Sequence, residues 1–337
     1  MKKGAVVGLG NLGLQYANLI ESHHETELTA VCDSDKIKLE AYQCKHKDVA
    51  VFSDYRELMQ SDVDFVYVGT PDFAHAGPAI AAASAGKHLL LEKPLAMSVE
   101  EASSLAQIIS DNGVMAKICF TNRWNQPFAV AKQSIEQGRI GQVLHIHARL
   151  NDRITVPTKM ISWASKTSPG WFLMSHILDL ALWIADDEVQ KVHGAGQKQI
   201  LSSVYGIDTF DSIHAFLYFK NGVLAHLESS WILPETFPFI VDFKLQVVGS
   251  KGCIHVDTHD QMVHCSAVNH EHLPSLDASI NGRMTGQVSL SYDDFVDCLC
   301  GRSTVSATVQ DGVENTELLA LIHRAAEAGG DTLDVDR

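Results

Sequence analysis

From residue 4 to 119 the chain alternates short apolar runs with stretches whose apolar residues recur every three or four positions. That alternation is the pattern of stacked βαβ units and a parallel sheet. Strands are expected at 5–8, 28–32, 49–52, 65–69, 88–91 and 114–119, with helices at 11–21, 35–44, 54–60, 75–86 and 98–111 between them. Asp54 and Ser98 suit helix N-caps, and Gly86 and Gly113 suit C-terminal stops. Near residue 122 the texture changes. A helix is expected at 127–137, closed by Gly138, then a strand at 143–150 and a strongly apolar helix at 170–185. Alternating runs at 189–198, 209–219, 223–232, 240–248 and 252–257 read as an antiparallel or mixed sheet, with Lys220-Asn221-Gly222 as a hairpin turn. Helices near 292–300 and 310–328 finish the chain, and the polar, His-rich stretch 258–290 reads as loop with short strands. The expected fold is α/β: a doubly wound parallel Rossmann domain over 1–121, then an α/β domain over 122–337 with a large, open, mostly antiparallel sheet.

Length agrees with two domains, because 337 residues exceed the size at which single cores stop growing. The formal net charge of −15, with no local Lys/Arg cluster to offset it, argues against a nucleic-acid partner. No stretch of 18 apolar residues occurs, and the apolar run after Lys3 is only five or six residues long. Neither a membrane span nor a signal peptide is therefore expected. The 7 cysteines contain no C-x-x-C pair, which points to reduced thiols and a cytoplasmic setting. Cys32, Cys119 and Cys253 lie in apolar strand-like runs and are expected to pack as small hydrophobes.

The run Gly8-Leu9-Gly10-Asn11-Leu12-Gly13 places G-x-G-x-x-G between a strand and a helix. Gly8 permits the tight turn, Gly10 lets backbone approach a pyrophosphate, and Gly13 allows close helix–strand packing. The helix N-terminus then offers free N–H groups and the positive end of its dipole to phosphates. Asp33 follows Gly13 by 20 positions, where a carboxylate accepts hydrogen bonds from an adenosine ribose. The blander alternative is a glycine-rich turn with an aspartate capping the next helix. A 2′-phosphate near Asp33 would meet like-charge repulsion of about 1–4 kcal/mol at roughly 4 Å, so NAD is favoured. NADP stays open because Ser34, Lys36 and Lys38 are close by.

Two more strand ends carry chemistry: Thr70-Pro71-Asp72-Phe73-Ala74-His75 and Glu92-Lys93-Pro94. Ligands of open α/β sheets lie beyond the carboxyl ends of the strands, so both loops fall where cofactor and substrate meet. Spacing alone leaves Glu92-Lys93-Pro94 equally readable as a charged strand exit stopped by proline. These motifs, with Arg123, Pro127, Gly138-Arg139-Ile140-Gly141, His176-x-x-Asp179 and Gly249-Ser250-Lys251-Gly252, resemble the glucose–fructose oxidoreductase / inositol dehydrogenase / rhizopine-catabolism (Gfo/Idh/MocA) family over nearly the whole chain. The resemblance implies reversible hydride transfer at a hydroxyl of a sugar, cyclitol or related polyol, and an open sheet that packs against substrate and partner subunits. It also implies that Thr70, Pro71, His75, Glu92 and Lys93 surround the cofactor, that Lys93 contacts the reacting hydroxyl, and that the Lys93–Pro94 bond is cis. Position 72 is more often Asn in that family, so Asp72 is a departure.

In 171–185, 12 of 15 residues are apolar, the exceptions being Ser175, His176 and Asp179. A helix apolar all round is buried, so these polar groups need partners or a wet cleft. Phe172, His176, Asp179 and Trp183 share one face. His176 suits a general base, or else forms a structural pair with Asp179. The resemblance makes His176 the catalytic histidine. Many sugar and inositol dehydrogenases of the family carry Asp four residues earlier, where this chain has Phe172; with Trp171 it suggests a wall that stacks on an apolar sugar face. Lys93, Arg123, Phe172, His176 and Asp179 are the candidate substrate contacts; Arg153 and Lys159 fit a substrate or an ordinary surface role equally. His145 and His147 share a strand face and are candidates to line the substrate side of the sheet. His255, His259, His264, Cys265, His270 and His272 match no zinc spacing, and no metal is expected. Three functions compete: an NAD-dependent polyol dehydrogenase, an NAD-dependent glycoside hydrolase of the same family, and a non-catalytic dinucleotide-binding regulator. The alternating strands imply an open sheet face and a homodimer or homotetramer built on it.

Overall fold

The computed structural model describes residues 1–259, 264–266, 270–272, 279–281 and 283–335. The chain divides into two compact units, Met1–Phe120 with Ser279–Thr316, and Thr121–Ala278 with Glu317–Arg337.

The first unit is a six-stranded parallel sheet. Its strands are β1 (Lys2–Val7), β2 (Thr26–Cys32), β3 (Ala50–Phe52), β4 (Phe65–Val68), β5 (His88–Leu91) and β6 (Ala116–Ile118). They lie in the order β3-β2-β1-β4-β5-β6, with helices as crossovers. This is the doubly wound order that reverses between β1 and β4, the place where such sheets bind ligands. The expected caps form: Asp54 accepts from Arg56 N–H, Ser98 accepts from Glu101 N–H, and Gly86 and Gly113 take φ of +70° and +60°. Helix Gln287–Leu299 belongs to this unit although its place in sequence put it in the second domain. The reason is its apolar face. Tyr292, Phe295 and Val296 join a core with Tyr16, Ile20, Phe65 and Tyr67. Lys117 on β6 is 0% exposed, and its ammonium donates to Ser291 O and Asp294 Oδ2, both at 2.6 Å.

The second unit is a seven-stranded mixed sheet. Its strands are β7 (Val143–Arg153), β8 (Val189–Gln197), β9 (Ser212–Phe219), β10 (Leu224–Leu233), β11 (Val241–Gly249), β12 (Gly252–Asp257) and a C-terminal strand, Thr332–Asp334. The order is β12-β11-β7-β10-β9-β8 followed by the C-terminal strand. Among the described strands of this sheet only β7 and β10 pair in parallel. Gly222, at φ +86°, closes the β9–β10 turn, and Asn221 Oδ1 accepts from Val223 N–H. Helix Ser175–Ala185 packs on one face of the sheet, where Ile146, Ala148, Ala225 and Leu227 are buried. Sequence periodicity missed the short helix Ile200–Tyr205, which is held because Asp211 accepts from the N–H groups of Gln199, Ile200 and Leu201. The helix expected over 170–185 opens instead with a wide π turn, Gly170–Met174. Ser168 Oγ accepts from Trp171 N–H there, ahead of the regular helix. Cys32 and Cys119 are buried as expected, but Cys253 is exposed, because it sits on the outward phase of strand β12.

The Lys117–Asp294 pair fastens helix Gln287–Leu299 to β6. Asp294→Ala leaves an ammonium buried without its counter-charge and is expected to cost about 3 kcal/mol of unfolding free energy in urea titrations. Adding Lys117→Met should recover part of that loss; a single variant within about 0.5 kcal/mol of wild type would show the pair to be idle.

Candidate functional site

At the carboxyl end of β1 backbone takes the place of side chains. Gly8 adopts φ +99°, and a Cβ there would stand 2.6 Å from Gly69 O. A Cβ on Gly13 would meet Gly8 O at 1.7 Å, so helix and strand touch where only glycine fits. Gly10 differs: its Cβ position has nothing within 4 Å. It precedes the 12-residue helix α1 (Asn11–Ser22), which has no side-chain cap and no acid in its first turn. The N–H groups of that turn carry no side-chain cap, and the space beside Gly10 is open. Asp33 does not cap the next helix, since Asp35 accepts from Ile37 and Lys38 N–H. Instead Asp33 Oδ2 accepts from Leu9 N–H at 2.7 Å and Oδ1 accepts from Asp35 N–H at 2.9 Å. Lys38 Nζ lies 3.6 Å away, and the carboxylate keeps 10% of its surface open. The acid thus reaches back to the glycine loop through Leu9 N–H.

The loops after β4 and β5 are tied together. His75 is buried, with Nδ1 2.7 Å from Pro94 O and Nε2 2.7 Å from Thr70 O. Both its nitrogens face backbone carbonyls, which makes it a brace between the two loops. Thr70 Oγ1 donates to Ala74 O, and Asp72 is buried. Lys93 and Glu92 are buried side by side, and Lys93–Pro94 is cis, as the resemblance implies. Tyr67 Oη donates to Glu92 Oε1 at 3.0 Å while Tyr16 stacks on the Tyr67 ring at 3.9 Å. Burial raises the Glu92 carboxyl above its ordinary range; Lys93, His75 and the Tyr67 hydroxyl pull the other way. Tyr67 carried no sequence signal as a site residue, because it reads as one more apolar position in β4.

In the second unit, Arg123 and Asp179 form a forked ion pair. Arg123 Nε donates to Asp179 Oδ1 and Oδ2 at 3.2 and 3.1 Å, and Nη2 adds a second contact to Oδ1. Both side chains are largely buried. This forked pair fixes helix Ser175–Ala185 to the segment after β6. On the same helix His176 is half-buried and Phe172, in the π turn, is partly exposed. Asp179, one turn further along the same face, is buried. Trp171 is not part of an open wall: it is buried and stacks on His323 at 4.7 Å. The partner of Phe172 is Trp163, edge-on at 5.8 Å, with the buried Trp231 ring at 5.7 Å behind it. A lone Trp in a loop offers no periodicity, so Trp163 was not legible in sequence. Ser168 Oγ lies 2.6 Å from His323 Nε2; burial pushes that imidazole down to about 4, so it is neutral.

Arg153 and Lys159 contact Glu235, through its carbonyl and its carboxylate respectively. His145 and His147 lie on the sheet face opposite helix Ser175–Ala185, away from His176. His255 is exposed on β12, whereas His259 stacks on Phe239 at 4.3 Å and approaches Asp242 at 3.1 Å. The side chains of His264, Cys265, His270 and His272 lie outside the described residues. Among the described residues no group of three or more His, Cys, Asp or Glu is arranged to hold a metal ion, and no helix is long and apolar enough to cross a membrane.

A parallel sheet reversing at a glycine cradle, with an acid at the loop, is the pattern of a doubly wound dinucleotide-binding fold. Comparison with known proteins carries this further. Residues 2–120 match the model of the oxidoreductase family with an NAD-binding Rossmann fold, and residues 128–255 match the GFO/IDH/MocA C-terminal domain. The chain belongs to the Gfo/Idh/MocA family. It is 28% identical over 331 residues to the scyllo-inositol 2-dehydrogenase (NAD(+)) of Bacillus subtilis, spanning 93% of this chain and 91% of that protein. It is 28% identical to the myo-inositol 2-dehydrogenase of Thermotoga maritima, over 75% of this chain and 74% of that one. The crystal structure of scyllo-inositol dehydrogenase from Lactobacillus casei, with NAD(H) and scyllo-inositol bound, shares the fold at a TM-score of 0.84 and 21% identity, over 99% of each chain.

Glu92 supplies a pH test. A carboxyl whose folded value lies above its unfolded value near 4.5 stabilises the fold when protonated. That contribution is complete below the unfolded value and is lost as pH rises through the folded one. Glu92→Gln abolishes the titration, so its melting temperature relative to wild type should rise between about pH 5 and about pH 8. A constant difference across that range would contradict the raised carboxyl.

Proposed function

We propose that the protein is an NAD-dependent dehydrogenase that oxidises a secondary hydroxyl of a sugar, cyclitol or related polyol and reduces the carbonyl in reverse. The observation that carries this reading is the Asp33 carboxylate held on the Leu9 N–H beside the open space at Gly10. The named relatives, which act on inositols, supply the substrate class. On this reading the first unit, residues 1–121 with the returning segment 279–316, holds the dinucleotide, and the rest of 122–337 holds substrate and partner subunits. Backbone of Gly8, Leu9, Gly10, Asn11, Leu12 and Gly13 takes the pyrophosphate, and Asp33 takes the adenosine ribose. Thr70, Pro71, Glu92 and Lys93 line the nicotinamide end, with His75 bracing them. Bound there, NAD supplies the hydride acceptor.

Oxidation of an alcohol needs the hydroxyl proton to leave as the C–H bond breaks, since a protonated carbonyl is unstable. His176 takes that proton as general base. Lys93 donates a hydrogen bond to the same oxygen and stabilises its growing negative charge. Asp179, engaged with Arg123, orients the helix that carries His176. Phe172 and Trp163 offer an aromatic surface to the C–H face of the substrate ring. The free buried thiols Cys32 and Cys119 suit a reducing, cytoplasmic setting. The open face of the seven-stranded sheet is the assembly surface of a homodimer or homotetramer.

Calorimetric titration should find NAD bound more tightly than NADP, with Asp33→Ala narrowing the gap; equal affinities in the wild type would remove Asp33 as the selector. In steady-state assays on a panel of inositols and sugars, His176→Ala and Lys93→Ala should each lower kcat by about 10²–10⁴ with NAD affinity nearly intact. Turnover near wild type in His176→Ala would assign the base elsewhere.

A further inference from the structure

The face of the second sheet opposite helix Ser175–Ala185 carries groups that hydride transfer does not use. Read straight across the strands in register, His255 on β12 stands beside Gln246 on β11, and Gln246 beside His147 on β7. His147 pairs with His226 on β10, His226 with Phe216 on β9, Phe216 with His193 on β8, and His193 with Thr332 on the last strand. The row crosses all seven strands without a break. Its centre is a stack of rings: His147 on His226 at 4.8 Å and 13°, and His226 on Phe216 at 4.5 Å and 10°. His214, one step along β9, lies parallel to His226 at 6.0 Å. His147 Nε2 is buried with no hydrogen-bond partner.

The surroundings say what covers such a row. Phe216, Tyr218 and Leu224 are 44, 41 and 49% exposed, a contiguous apolar patch beside the histidines. The bases on this face are already neutralised within the sheet, Lys244 by Asp257 at 2.7 Å, Arg149 by Asp242 at 2.8 Å and Lys191 by Asp334 at 3.3 Å. Glu228 accepts from Asn151 Nδ2 at 2.7 Å. A chain of net charge −15 repels its own copies in general, and this locally balanced, ring-rich face is where a copy approaches without that penalty. Seven strands about 4.8 Å apart, each rising about 3.4 Å per residue, present roughly 900 Å², close to the ~800 Å² that each partner buries in a standard interface. A second copy of this chain is the occupant.

We infer that the cross-sheet histidine row is the seam of this self-association face and that protonating it releases the second copy. The inference rests on the assembly reading proposed above and adds its control. Neutral imidazoles stack without penalty, whereas two imidazolium rings at this spacing repel, and more strongly under partial cover than in open water. On this face His226 is surrounded by His147, His145 and Arg149 from β7, His214 from β9, Lys244 and Asp242 from β11, and His193 and Lys191 from β8; Asp242, Asp257 and Asp334 balance the three bases, so the neighbouring imidazoles are what oppose its protonation. Glu228 on its own strand is the opposing charge. Burial, then His147 and His214, already hold His226 below the ordinary imidazole range, and Glu228 offsets this only in part. Cover by a second copy deepens the burial, so protons bind the separated face better and acid favours dissociation.

Sedimentation equilibrium of the intact protein between about pH 8 and pH 5.5, with far-UV circular dichroism to verify folding, tests this. An oligomer is expected at the alkaline end, and its dissociation constant should rise about tenfold per pH unit for each proton taken up, through the histidine range. His147→Gln with His226→Gln should assemble with a flat pH profile. His226→Gln alone should show a shallower slope than wild type, and it carries the test if the double variant fails to fold. A wild-type oligomer whose dissociation constant does not change with pH overturns the control and leaves the assembly reading standing. A monomer at every pH at micromolar concentration overturns both. A folded double variant that titrates like wild type removes the row as the sensor.

Discussion

Two backbone contacts organise the first unit. The chain leaving β1 passes so close to the start of β4's exit loop and to helix α1 that neither Gly8 nor Gly13 has room for a methyl group. This closeness brings the N-terminal turn of α1 over the sheet where the strand order reverses, and it leaves the space at Gly10 open. A dipole end and free N–H groups then face that space with no acid among them. The Asp33 carboxylate anchors the same loop from β2 by accepting Leu9 N–H, so one acid both shapes the cradle and stands at its rim.

The second unit obeys a different constraint. A mixed sheet presents two faces, and one is filled by helix Ser175–Ala185 over a floor of aliphatic side chains. Strict alternation sends every second residue of β7, β9 and β10 to the other side, where histidines and aromatics gather in register. The same strands therefore carry two unrelated kinds of chemistry. Inward positions hold the helix bearing His176, and outward positions carry the row of histidines and aromatic rings.

Buried charge recurs at each functional point, and each instance has a counter-group. Lys117 reaches Asp294, Arg123 forks onto Asp179, and Glu92 accepts from Tyr67 beside Lys93. Isolated charges at such depths would cost several kcal/mol each, so the pairs fix where their elements can sit. The pair at Asp179 is instructive. Arg123 and Asp179 meet across 56 positions of the chain, a pairing that no local spacing announces.

Sequence alone carried what depends on local geometry. Periods of two and near four marked the strands and most helices, Asp54 and Ser98 marked caps, and the glycine spacing with Asp33 marked the cradle, because each of these is decided by neighbours along the chain. The role of residues 279–316 was not legible, since the face of helix Gln287–Leu299 acquires meaning only against the Tyr16–Tyr67 core. Nor were the bracing of two loops by His75, the burial of Trp171 on His323, the replacement of Trp171 by Trp163 beside Phe172, or the histidine row over seven strands. Those relations join residues tens of positions apart through strand register and packing. Neither quantity has a local signature, and both are settled only when the sheet closes and its two faces are told apart.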